Sequence, residues 1–117
     1  MKYRMNEEKS YAHSLADVTT AMNGAVEGLG GKVLSSDPDQ NQYTLWLDKK
    51  ILGRVLGDRS QLEVTLSEAD GNCQVQLMAF PVDPIGREMG FGVRKGALKT
   101  AVTWFWAHLE HRLPKAE

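Results

Sequence analysis

Two stretches of this chain repeat a pattern that could hold an anion: GRVLG at 53–57, and GREMG at 86–90 inside PIGREMGFGVRKG at 84–96. Glycine lets a backbone approach a ligand closely, and the planar fork of arginine matches phosphate and carboxylate. On that reading the candidate anion-binding residues are Arg54, Arg59, Arg87, Arg94 and Lys95. The competing reading is two ordinary loops in which Asp58, Asp83 and Glu88 pair with the arginines. Neither copy is a P-loop, because the Gly-Lys-Ser/Thr that grips phosphate and magnesium is missing. Nor is GFGVRKG a dinucleotide fingerprint, which needs a strand running straight into its glycines; here Pro81 and Pro84 intervene.

Other chemistry finds less support. His108 and His111 stand three apart on one predicted helix face and could share a metal, yet the neighbouring carboxylate, Glu110, points elsewhere, so no metal site is expected. None of the serines sits in a nucleophile elbow, and Ser14 is already occupied as a helix cap. The paired acids Glu7 with Glu8 and Asp37 with Asp39 belong to polar stretches without signs of burial. No catalytic residue and no cofactor is therefore assigned. Cys73, the single cysteine, excludes an internal disulfide and fits an alternating strand position as a small buried hydrophobe.

The elements that would position these residues are legible in the periodicity. In SLADVTTAMNGAVEGLGG, Leu15, Val18, Met22, Ala25, Val26 and Leu29 recur at helical spacing; Ser14 and Asp17 resemble a capping box with Asp in place of Glu, and Gly30 and Gly31 end the helix. Gly24 and Gly28 weaken it by about 1 kcal/mol each relative to alanine, which implies close packing against a neighbour. A second helix is expected from about 94 to 113, with Leu98, Ala101, Val102, Phe105 and Leu109 inward, Trp106 flanking them, and Trp104, His108 and His111 outward. Its first turn would hold Arg94 and Lys95, beside free N–H groups that favour an anion.

Between the helices the period is two. YTLWLDKK (43–50), QLEVTLSE (61–68) and CQVQLMAF (73–80) alternate, the last two joined by the turn ADGN. KVLSS supplies a shorter strand, and the N-terminal stretch one more through Tyr3 and Met5 or through Tyr11. In such a meander the strands at 43–50 and 73–80 run the same way, so both Gly-Arg loops emerge at one end of the sheet. The order strand, helix, four strands, helix predicts a single α+β domain over 1–117: a two-layer sandwich in which an antiparallel sheet of about five strands carries both helices on one face.

This order resembles the β-α-β4-α plan of TATA-box-binding-protein-like domains, which also occurs in small bacterial proteins of unknown function. The resemblance spans nearly the whole chain but carries no motif, so it transfers no functional residue. A helix-grip fold, the alternative, asks for more strands than 117 residues offer.

Composition narrows the partners. A 42% hydrophobic and 25% charged chain is that of an ordinary globular domain. A net charge of −1 gives no general attraction to nucleic acid or to an anionic membrane, and a charged N-terminus with one cysteine points to the cytoplasm. If both helices lie on one sheet face, the other exposes Trp46, Met78 and Phe80, with Trp104 outward on its helix; such a cluster is typical of an interface. The expected function is therefore a non-enzymatic, self-associating binding domain. The alternative is a binder of a small anionic or apolar ligand held between the sheet and the last helix.

Overall fold

The computed structural model describes residues 3–94 and 96–114. The chain runs β1 (Met5–Tyr11), α1 (Leu15–Gly28), β2 (Lys32–Asp37), β3 (Gln42–Leu47), β4 (Lys50–Ile51), β5 (Arg54–Val55), β6 (Arg59–Ala69), β7 (Asn72–Val82) and α2 (Ala97–Arg112). Five strands form one antiparallel sheet in the order β1-β7-β6-β3-β2, and β4 with β5 makes a separate small hairpin. The expected α+β sandwich is what forms. The small hairpin is not in that expectation, because two-residue strands leave no periodicity to read.

The sheet's inner face is the one the alternation predicts. Leu45, Leu47, Leu62, Val64, Cys73, Val75 and Ala79 are essentially inaccessible, packed beneath Val18, Met22, Phe105 and Leu109 of the helices. Burying each large apolar side chain contributes about 1.5–3 kcal/mol, so this layer is the main source of stability. No helix among the described residues is long and apolar enough to cross a membrane.

Local signals fix the ends. Ser14 caps α1, its Oγ accepting from the Asp17 N–H at 3.1 Å, while the Glu68 carboxylate accepts the Leu15 N–H at 2.8 Å. The close neighbour implied by Gly24 and Gly28 is Arg112, whose stem lies over Gly24 and whose guanidinium lies over Gly28; a Cβ on Gly24 would sit 2.8 Å from Arg112 Cδ. Helix α2 starts at Ala97, later than expected, because Gly96 has φ 79° and breaks the helical dihedrals. Arg94 therefore precedes the helix instead of lying in its first turn. β1 takes in both Met5 and Tyr11, pairing along β7 from Met5 opposite Ala79 to Tyr11 opposite Cys73.

Candidate functional site

The two Gly-Arg loops do emerge together. Leu47 pairs with Ser60, and Arg59 with Val82, so the segments following β3 and β7 leave the same end of the sheet. The arginines of the two copies have separate partners. Arg87 Nε is held by Asp83 at 3.1 Å, and the Asp83 carboxyl also accepts the backbone N–H groups of Ile85 and Arg87. Chiefly through the Arg87 backbone bond, that carboxyl is kept below its ordinary range. Glu88 pairs with Arg4 at 2.8 Å, which lowers its carboxyl likewise. Asp58, buried, accepts the Arg94 backbone N–H at 2.6 Å, and the Arg94 stem packs over Gly57. Arg54 lies 5.7 Å over the Trp104 ring, Arg59 opens β6 opposite Val82, and Lys95 is outside the described residues. The acids of the loops are thus each engaged by a partner, and Arg54 and Arg87, one from each copy of the motif, rest on different groups.

The helix-free face of the sheet is organised in rows across the strands. One row runs Lys32, Trp46, Gln61, Phe80, with the Lys32 ammonium 5.4 Å over Trp46 and the Arg4 guanidinium 5.5 Å over Phe80. Phe80 is consequently only 6% exposed, so it is not available as an open interface residue; Trp46 and Met78 are half-buried, as is Trp104 beneath Arg54. An isolated aromatic on this face acquires a cation from the neighbouring edge strand, which the alternation of β7 by itself does not reveal.

Beyond that row lie two shallow troughs. One, of about 430 Å³, is lined by Asn6, Glu8, Glu63, Gln76 and Met78 among others. The second, about 340 Å³, is lined by Ser35, Asp37, Gln42 and Thr44, and it meets the first at Glu63 and Thr65. The charged side chains that face either trough are acidic: Glu8, Glu63 and Asp37; Glu7 borders the first trough, but its carboxylate is turned to the other face, where it accepts from Trp106. Glu8 is held in place by Gln74 and Gln76, the latter donating at 3.0 Å, and Glu63 accepts from Gln61 at 3.3 Å. The sequence pattern marked this face as open but drew attention to its apolar members; its carboxylates carry the stronger field.

The outward row expected on α2 is also rearranged. His108 is half-buried, with Arg112 Nη1 at 3.4 Å from its ring nitrogen, on the side that meets Gly28 of α1. His111 is exposed, and no group of three metal-ligating side chains forms among the described residues. Burial first, then the nearby Arg112 and His111, hold the His108 imidazole below its ordinary value of 6.5. The folded protein therefore binds a proton there less readily than the unfolded chain, and stability is lost as the pH falls from about 6.5 toward the lower folded value. Replacing His108 by Gln is expected to flatten the decline between about pH 7 and pH 5 seen in urea titrations; an unchanged decline would assign it to other groups. Cys73 is buried, and burial raises its thiol, which makes it unreactive.

No protein-family model matches the sequence, and no curated protein does either. Solved structures do. The crystal structure of Ara h 8.0201, a Bet v 1-like protein, overlays 93% of this chain and 95% of its own with a TM-score of 0.61 at 12% identity. The likeness is one of fold alone. A DUF4468 family protein from Bacteroides ovatus matches 99% of this chain and 90% of its own at 13% identity, with a TM-score of 0.47, below the level from which a shared fold follows. The first of these likenesses supports a small α+β fold and does not confirm the TATA-box-binding-protein-like plan, since several two-layer folds share an element order while differing in how the layers meet.

Proposed function

We propose that the chain is a non-catalytic binding domain whose working surface is the helix-free face of its sheet, and that its partner is a polar, cationic segment. One observation carries this reading: the two troughs join at Glu63 and Thr65, and the three charged side chains that face them, Glu8, Glu63 and Asp37, are all acidic. A lysine- or arginine-rich segment lying across β3, β6 and β7 would complement that field. Two copies joined through the same face would set acidic troughs against each other, which argues against self-association there. A pocket between the sheet and α2 meets a space occupied by Met22, Leu45, Leu62 and Phe105, all 0% exposed. An anionic head group held by Arg87 would have to displace Asp83.

Calorimetric titration with an oligolysine peptide tests the proposal. Binding should weaken as salt is raised, and Glu63→Lys, at an exposed position, should reduce affinity at least about tenfold. Binding that is absent, or indifferent to Glu63→Lys, would overturn it. A concentration-dependent dimer in sedimentation that Trp46→Ser or Met78→Ser abolishes would favour self-association through this face instead.

A further inference from the structure

The apolar side chains that stand furthest into solvent are not scattered. Phe91 is 84% exposed, Ile85 74%, Val55 69% and Leu52 67%; the remaining large exposed hydrophobics among the described residues are Val33 and Leu34 on β2. All four lie on the two segments that leave one end of the sheet, β4–β5 and the connection from β7 to α2. Nothing in the fold is gained by showing them to water.

Leu52 is the most telling of the four. Two hairpins of this protein close through two-residue turns with both residues at positive φ: Asp70-Gly71 between β6 and β7, and Leu52-Gly53 between β4 and β5. That turn favours Asn, Asp or Gly at its first position, and Asp70 obeys the rule. Leu52, at φ 51°, breaks it, holding a branched alkyl side chain in the left-handed region and in solvent at once. Asparagine would suit both the backbone and the exposure. A residue unfavourable on two counts at a hairpin tip points to a role outside the fold.

Charge is sorted along the molecule in the same sense. Residues 48–59 and 83–99 hold eight lysines and arginines against four carboxylates, a surplus of four, whereas the chain as a whole stands at −1 and its remainder therefore at −5. The four carboxylates are engaged locally, by Lys49 N, Arg94 N, Arg87 and Arg4. Lys49, Lys50 and Arg94 are exposed, and their charged side-chain ends form no ion pair among the described residues. With the protein 44 Å long and charges screened over about 8 Å at physiological salt, acids at the far end do not cancel this field.

We propose that this end of the molecule docks onto an anionic lipid surface. Leu52, Val55, Ile85 and Phe91 enter the interface, and Lys49, Lys50 and Arg94 lie among the head groups. Protruding aliphatic tips ringed by cations suit a bilayer, which takes up both; a nucleic acid has no use for Leu52, Val55 and Ile85, and a second copy would bring two basic ends together. A chain-wide charge of −1 argues against membranes only when it is averaged over the whole sequence, and the fold removes that average.

Flotation of the full chain with phosphatidylcholine vesicles, with and without phosphatidylserine, is the test. Phosphatidylserine-dependent binding is expected, released by high salt. Leu52→Asn with Phe91→Ser, and separately Lys49→Glu with Lys50→Glu, should each weaken it at least about tenfold. The Leu52→Asn chain alone should unfold no earlier than the parent, which separates lost docking from lost folding. Absence of phosphatidylserine-dependent flotation, or equal binding by both double variants, would overturn the proposal. So would a dimer that Leu52→Asn with Phe91→Ser converts to monomer, which would make these tips contacts between copies.

Discussion

Trp106→Ala is expected to lower the free energy of unfolding by about 3–5 kcal/mol, a large share of what a domain of this size commonly possesses. Trp106 is 3% exposed and packs edge-on to Phe105 at 5.6 Å, so truncation opens a cavity at the rim of the core. It is also the post to which β1 is fastened. The inner face of β1 is partly polar, and α2 answers it: the Trp106 indole donates to Glu7 at 2.6 Å, Lys9 lies 5.0 Å over the ring, and Tyr11 donates to Glu110 at 2.7 Å. Burial would raise the Glu110 carboxyl, but the bonds from Tyr11 and Lys9 outweigh it and hold it low. The loss should therefore be uneven. Amide exchange is expected to rise first in β1 and the neighbouring edge of β7, with β3 following only at global unfolding. Trp106→Phe keeps most of the packing and removes the bond to Glu7, for a loss of about 1.5–3 kcal/mol. Chemical denaturation of the two variants, with exchange read by residue, checks both points; a Trp106→Ala loss below about 1 kcal/mol would mean the side chain is not the anchor described here.

Gly31→Ala is expected to destabilise by about 3 kcal/mol, the upper end of what an inserted methyl group imposes on a tight site. A Cβ there would overlap the Trp46 carbonyl oxygen and lie 2.8 Å from Leu47 Cδ2. Because the first obstacle is backbone, relief requires β2 and β3 to separate where Lys32 pairs with Trp46. Gly30, one residue earlier, is the control. It sits at φ 72° with nothing within 4 Å of an added Cβ, so Gly30→Ala pays only for the left-handed backbone, about 1–2 kcal/mol. The two should also respond differently to Asn, which tolerates that backbone region: Gly30→Asn recovers much of the loss, Gly31→Asn none of it. Equal losses for the pair in urea titrations would refute the distinction.

Those two glycines show where sequence reasoning stops. Side by side in GLGG they read as one helix stop, which is correct for Gly30 and incomplete for Gly31. What makes Gly31 irreplaceable is a carbonyl 15 residues further on, brought close only when β2 pairs with β3. Helices, strands and the inner face of the sheet were legible because each rests on a short-range period: 3.6 for Leu15 to Leu29, two for Tyr43 to Leu47. The same holds for Ser14, whose partner Asp17 is three residues away. Phe80 had the right period and the wrong exposure, because Arg4 and not its own strand covers it.

The candidate sites divide along the same line. The chain by itself determined that two Gly-Arg loops would leave one end of an antiparallel sheet and that one sheet face would lack helices, since strand direction follows from the meander. Only the tertiary structure decided that Arg87 belongs to Asp83, that Arg54 rests on Trp104, that the open face is lined by carboxylates, and that apolar tips and cations gather at the loop end. The physical reason is range. Local periodicity is set by neighbouring dihedrals and survives in a one-dimensional reading, whereas side-chain partnership and charge segregation depend on contacts between residues tens of positions apart, which exist only once the sheet register and its loops have closed.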